Sequence, residues 1–190
     1  MGQLITNPPG ILKGVWFDNA SNAPKAPTFT QIGNEAILAA THFGNTTPES
    51  NANAQYWVAT SHNNNTPGSE SWCAVSTSWG GGDYGWVSWV DFPYVTDFGA
   101  TCGANFNGLG SKAGITIIAS NQVARLITDQ VQPFGWVDSG NMGNTDKCVG
   151  IHSGQGATQN VTLSTGTFAV QSLWSNAFNS NAGGCVISYP

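Results

Sequence analysis

GITIIASNQVARLITD, residues 114–129, carries two readings that lead to different folds. Its first half is rich in β-branched residues, as a buried strand would be. Yet Ile115, Ile118, Ala119, Gln122 and Leu126 recur at spacings of three and four, and Asn121, Arg125 and Thr128 form a second stripe. That period belongs to a helix. The helical reading holds for the second half, and the first half stays open. A second helix is expected over about Gln31–Phe43, with Thr28 or Thr30 as N-cap and Ile32, Ala36, Ala39, Ala40 and Phe43 on one face.

Around these lie short stretches of β-branched and aromatic residues bounded by turn formers. They are Ile11–Phe17, Gln55–Thr60, Trp72–Ser78, Trp86–Val90, Gly114–Ile118, Thr167–Trp174 and Gly184–Ser188. Residues 18–28 and 61–71, crowded with Asn, Pro and Ser, are loops, and Gly80-Gly81-Gly82-Asp83 and Asp97-Phe98-Gly99 are turns. No repeat or long linker divides the chain. The sum is a single α+β domain over 1–190, with mostly antiparallel strands and two principal helices.

Only 8% of the 190 residues are charged, five Lys+Arg against ten Asp+Glu, for a net charge of −5. Soluble domains carry roughly 25%. With 40% hydrophobic residues the chain is not compositionally disordered, and no run approaches the ~18 apolar residues of a membrane span. Five scattered bases build no phosphate-neutralising patch, so nucleic acid is not an expected partner. Solubility falls to neutral polar groups, among them 24 Gly and 19 Asn.

Cys73, Cys102, Cys148 and Cys185 lack C-x-x-C spacing, which argues against a cysteine-ligated metal and for two disulfides in an oxidising compartment. Three connectivities exist. Cys73–Cys102 with Cys148–Cys185 is favoured because it closes loops of moderate length, but the spacing alone leaves the others open. Four N-x-[ST] acceptors, at Asn19, Asn45, Asn64 and Asn160, fit an exported glycoprotein. The Met1-Gly-Gln start has neither the basic nor the apolar part of a signal peptide, so a mature or recombinant form of a secreted chain is the expectation.

ASNQVARLITDQ (119–130), GWVDSG (135–140) and DKCVG (146–150) together resemble a group of secreted bacterial and fungal proteins. Those carry A-[SG]-H-E-Y-A-E-T-x-T-D-P on a helix, then G-W-x-D-S-S-G and G-D-K-C. NAQYWVATSHNNNTPG (53–68), FPYVTDFGATCGANF (92–106), GQGATQNVTLSTGTFAVQSLW (154–174) and the Cys185 ending extend the resemblance over most of the chain from Ile32 onward. The plant phosphate-induced EXORDIUM-type proteins are a more distant likeness. The resemblance implies a zinc peptidase-like site, with His and an acid one helical turn apart as ligands and the intervening Glu as general base.

Asn121 stands at the His position, Gln122 at that of the base, and Arg125 at that of the second acid. A neutral amide is a weak zinc ligand, Gln cannot take a proton at neutral pH, and Arg repels a divalent ion. The expectation is therefore no metal, no cofactor and a pseudoenzyme. Arg125 would supply the missing positive charge in place, pairing with Asp138 or Asp146 in the retained segments, Asp129 being a further candidate one turn on.

Other constellations are less specific. His42, His62 and His152 are far apart, no G-x-S-x-G elbow occurs, and GLGSKAG (108–114) lacks the order of a phosphate loop. Asp83, Asp91 and Asp97 offer a carboxylate pair for glycoside hydrolysis, with turn residues the blander reading. Trp72, Trp79, Trp86 and Trp89 are either a sugar-stacking surface beside Asn and Asp or the filling of a β core. Trp86/Trp89 alternating with Val87/Val90 favours the core. Three functions follow: a secreted non-catalytic domain binding a glycan or protein, a subunit of an extracellular homo-oligomeric filament or surface assembly, or an active secreted hydrolase.

Overall fold

The computed structural model describes residues 10–80, 82–131 and 134–188. The Met1-Gly-Gln start and Gly81 of the expected turn lie outside them. In chain order the elements are α1 (Phe29–His42), α2 (Pro48–Asn51), β1 (Gln55–Ala59), α3 (Ser69–Trp72), β2 (Val75–Gly80), β3 (Trp86–Phe92), α4 (Ala113–Thr128), β4 (Gln159–Leu163), β5 (Gly166–Val170), β6 (Leu173–Ser175), α5 (Phe178–Asn181) and β7 (Gly184–Val186). The class is α+β: β1-β3-β2 form one sheet, β4-β5 and β6-β7 two small ones, and every pairing except the parallel β1-β3 is antiparallel.

The fold is a stack of layers about β3. Val87 and Trp89 turn to one face of the sheet, where Ile32, Ala36 and Ala40 of α1 and Tyr56 of β1 complete the core. Val90 turns to the other, against Ala74 and Leu126, with Trp57, Phe92 and Ile118 around them. Covered on both faces, Val87 to Asp91 are all buried. Trp86 and Trp89, three residues apart, therefore point to opposite faces rather than sharing one. Thr28 starts α1 with a capping box: its Oγ1 accepts from the Gln31 N–H (3.2 Å), and the Gln31 side chain accepts from the Thr28 N–H (2.8 Å).

Residues 114–118 belong to α4, not to a strand. The helix is gripped between the sheet and β5, where the Thr116 hydroxyl donates to the Ala169 carbonyl (2.7 Å). Gly114 lies so close to the Val95–Cys102 segment that an added Cβ would stand 1.9 Å from the Cys102 carbonyl oxygen. Trp72 is helical, so β2 begins at Val75. Residues 11–17 are not assigned to a strand, having no neighbouring strand to pair with. Cys73–Cys102 fastens the start of β2 to the Val95–Cys102 segment, and Cys148–Cys185 fastens the loop after α4 to β7. Two disulfides fit an oxidising, extracellular setting. Among the described residues no helix is long and apolar enough to cross a membrane.

Candidate functional site

Asn121 and Gln122 are buried in α4 and joined to β5's end by a chain of amides. The Gln122 amide donates to Asn121 Oδ1 (2.9 Å), Asn121 Nδ2 to Gln171 Oε1 (3.1 Å), and Gln171 Nε2 to the Thr145 carbonyl (2.8 Å). Gln122 Oε1 has no protein partner. One turn on, Arg125 Nη1 donates to Asp146 Oδ1 at 2.8 Å, both side chains a little over one fifth exposed. Asp146 Oδ2 also accepts from the Gly143 N–H (3.2 Å). Asp129 is spent differently, accepting from the Gly135 N–H at the end of α4 (2.8 Å). These residues do not fit a zinc ion: the first two positions are neutral amides engaged with each other, and the third is a cation. Among the described residues no cluster of three or more His, Cys, Asp or Glu could hold a metal.

Asp138 pairs with Lys147 (2.5 Å), and its other oxygen accepts from the Gly140 and Met142 N–H groups (2.9 and 3.0 Å). The Lys147 hydrogen bond, with those two backbone donors, pulls its pKa down to about 2. The same Lys147 ammonium lies 4.3 Å over the Trp174 ring.

Beside this charged cluster is a cleft of about 240 Å³ lined by Thr128, Trp136, Asn144, Trp174 and Asn176. Each wall has a local cause. Gly135 lets the chain press against the end of α4, since a Cβ there would lie 2.3 Å from Asp129 Cα. Trp136 is then fixed by its N–H on the Thr128 carbonyl (2.8 Å). The Trp174 N–H donates to the Asn144 carbonyl (3.0 Å), and its indole N–H to Asn176 Oδ1 (2.8 Å). Thr128 Oγ1 donates to Asn144 Oδ1 (3.1 Å). The cleft thus offers two indoles, two primary amides and a hydroxyl, with no charged side chain in its lining. Trp136 lies in the GWVDSG segment and Trp174 ends GQGATQNVTLSTGTFAVQSLW, but nothing local in the sequence shows that the two indoles meet.

Three of the four clustered tryptophans pack together, directly or through Phe29, and the fourth stands apart. Trp89 is fully buried, Trp79 meets it edge-on at 5.7 Å, and Trp72 packs on Phe29 at 5.6 Å. Trp86 is half exposed, its ring lying over Gly80. Asp91 is buried in β3, too deep to meet a substrate, and burial raises its pKa. Asp83 is exposed in a short turn.

Asp97 binds His62 Nδ1 and accepts from the Asn63 N–H (2.8 Å) and Asn65 amide (2.7 Å). Those donors lower its pKa against the opposing effect of desolvation, which is the largest single influence. Carboxylate and imidazole form a dyad whose imidazole is largely exposed. Among the described residues no Ser, Thr or Cys side chain hydrogen-bonds to His62. His42 stacks on Trp16 (4.5 Å), and His152 is exposed in a loop.

Of the four glycan acceptors, Asn19 and Asn160 are exposed. Asn45 donates to the Tyr56 hydroxyl (2.7 Å), and Asn64 to Ser61 Oγ (2.7 Å). The chain matches no family model, and no curated protein or solved structure is significantly similar to it.

Proposed function

We propose that this chain is a secreted, non-catalytic domain that binds a glycan in the Trp136–Trp174 cleft. The observation carrying the proposal is the cleft's composition. An indole face stacks on the C–H face of a sugar ring, Trp136 and the face of Trp174 not taken by Lys147 being the candidates, while the Asn144 and Asn176 amides can donate to its hydroxyls and the Thr128 hydroxyl oxygen can accept from them. The cleft, about 240 Å³, is open to solvent. In this reading the replaced positions Asn121, Gln122 and Arg125 are scaffold. Their amide chain and the Arg125–Asp146 pair hold α4 against the loop that presents Trp136 and Asn144. The domain is then a pseudoenzyme relative of the H-E-x-x-E proteins, needing no cofactor.

A glycan array followed by titration calorimetry tests this. Wild-type protein should bind a neutral glycan, and Trp136→Ala or Trp174→Ala should weaken it at least ~10-fold, the loss of one stacked ring. Absence of any array signal would overturn the reading. Stoichiometric zinc in the purified protein would overturn the pseudoenzyme assignment.

A further inference from the structure

The polar groups of the Trp136–Trp174 cleft are unequal in what they have left to offer. The Trp174 indole N–H can only donate, so its 2.8 Å bond to Asn176 fixes that amide's orientation, Oδ1 toward the indole and Nδ2 away from it. Asn176 is exposed just after β6 and keeps its Nδ2 hydrogens for a ligand or for water. Asn144 Oδ1 lies 3.1 Å from Thr128 Oγ1, which leaves mainly the nitrogen of that amide. The single hydroxyl hydrogen of Thr128 goes to the Ala124 carbonyl (2.8 Å) or to Asn144, so toward a ligand its oxygen can only accept. Amide N–H donors are therefore in excess. The charges beside the cleft are already matched: Lys147 binds Asp138, and Arg125 binds Asp146 at 2.8 Å. An anionic ligand would have to compete with those carboxylates, on a chain of net charge −5.

We propose, resting on the glycan reading above, that the cleft selects an N-acetylated sugar and that Asn176 is its specificity-determining residue. An acetamido group brings what this lining lacks: a neutral carbonyl that is a strong acceptor, joined to a methyl. The carbonyl accepts from Asn176 Nδ2, and the methyl packs on the indole wall. Thr128 Oγ1 is left for an N–H or hydroxyl of the same sugar. A plain hexose has a hydroxyl in place of the acetamido group. That hydroxyl can accept from Asn176, but its own hydrogen finds few acceptors in a donor-rich lining, and it offers no methyl to the indoles. One hydrogen bond and one buried methyl together discriminate by at least ~10-fold. Trp174 contributes by holding Asn176 in register, since its indole N–H decides which end of the amide is free.

Titration calorimetry on the full chain tests this with the trimers of N-acetylglucosamine and of glucose in the same linkage, and with the trimer of galacturonic acid. The wild type should bind the N-acetylated trimer at least ~10-fold more tightly than the glucose trimer, and the uronate most weakly. Asn176→Asp keeps an oxygen for the Trp174 indole but has no N–H, and should bind the two neutral trimers about equally. Asn176→Ala should do the same without adding a charge beside Lys147. Both variants should keep the wild-type circular dichroism spectrum, because Asn176 is exposed. Equal binding of the two neutral trimers by the wild type, lost in Trp136→Ala, would overturn the N-acetyl preference and leave the glycan reading standing. Tightest binding of the uronate would overturn the preference in favour of an anionic ligand, and a preference surviving both Asn176 substitutions would overturn the role of Asn176. Binding of none of the three would also overturn the preference, and the glycan reading falls with it only if the glycan array is empty too.

Discussion

At the scale of single residues, Arg125 separates a scaffold role from a decorative one. Its guanidinium neutralises Asp146 within a largely shielded cluster that also holds Asp138 and Lys147. Arg125→Glu replaces attraction with repulsion between partly desolvated carboxylates and should cost about 2–3 kcal/mol, somewhat below the loss for a fully buried pair. Arg125→Met keeps the aliphatic stem, leaves Asp146 its Gly143 N–H, and should cost less. Chemical denaturation of the two variants checks this; equal, near-zero losses would make Arg125 ornamental. The residue types at these positions, two amides and a cation, were legible in the sequence. What fills the place was not, because Gln171 reaches Asn121 across 50 residues of chain and is itself held by the Thr145 carbonyl 26 residues away. The Trp136–Trp174 cleft was illegible for the same reason: its walls meet only after α4, the loop and β6 have folded.

At the scale of elements, α4 shows how packing decides an ambiguous sequence. The β-branched run Ile115–Ile118 favours a strand locally, but a strand there would strip Leu126 and Ile118 from the sheet's second face. Gly114 marks the tightest point of that packing. Gly114→Ala would gain about 1 kcal/mol of helix propensity. It would also push a methyl to 1.9 Å from the Cys102 carbonyl, a clash whose relief costs more than the propensity gain, typically 1–3 kcal/mol for overpacking and here at its upper end. A lowered melting temperature is expected; an increase would mean the contact yields easily. The β4–β5 hairpin was only half read, since β4 has Gln159, Asn160, Thr162 and Leu163 exposed and so no inside-outside alternation to detect. Residues 11–17 are the converse case: their β-branched and aromatic content reads as a strand, but no neighbouring strand pairs with them.

At the scale of the whole molecule, scarce charge makes each carboxylate's setting count. Glu35 and Asp91 have raised pKa values, both chiefly from desolvation, Glu35 also from Asp18. A raised acid binds its proton more tightly folded than unfolded. Its stabilising contribution is therefore complete below the ordinary values of 4.5 and 3.8 and is lost as pH climbs through the raised ones. Asp138, held at about 2, and Asp97, also lowered, act in the opposite sense. Their contribution is present above 3.8 and fades only as pH falls from there toward the folded value. The two pairs overlap on the acid side, and the net charge of −5 adds self-repulsion at neutral pH that vanishes near the isoelectric point of about 4.8. Maximum stability should thus lie at mildly acidic pH, near 4 to 5, rather than near 7. Thermal melts from pH 2 to 8 read this directly. Asp91→Asn should flatten the decline toward neutrality, because the buried carboxylate is then replaced by an amide that carries no charge at any pH. A profile that peaks at neutral pH in the wild type, or one that Asp91→Asn leaves unchanged, would show that Asp91 is not among the groups setting it.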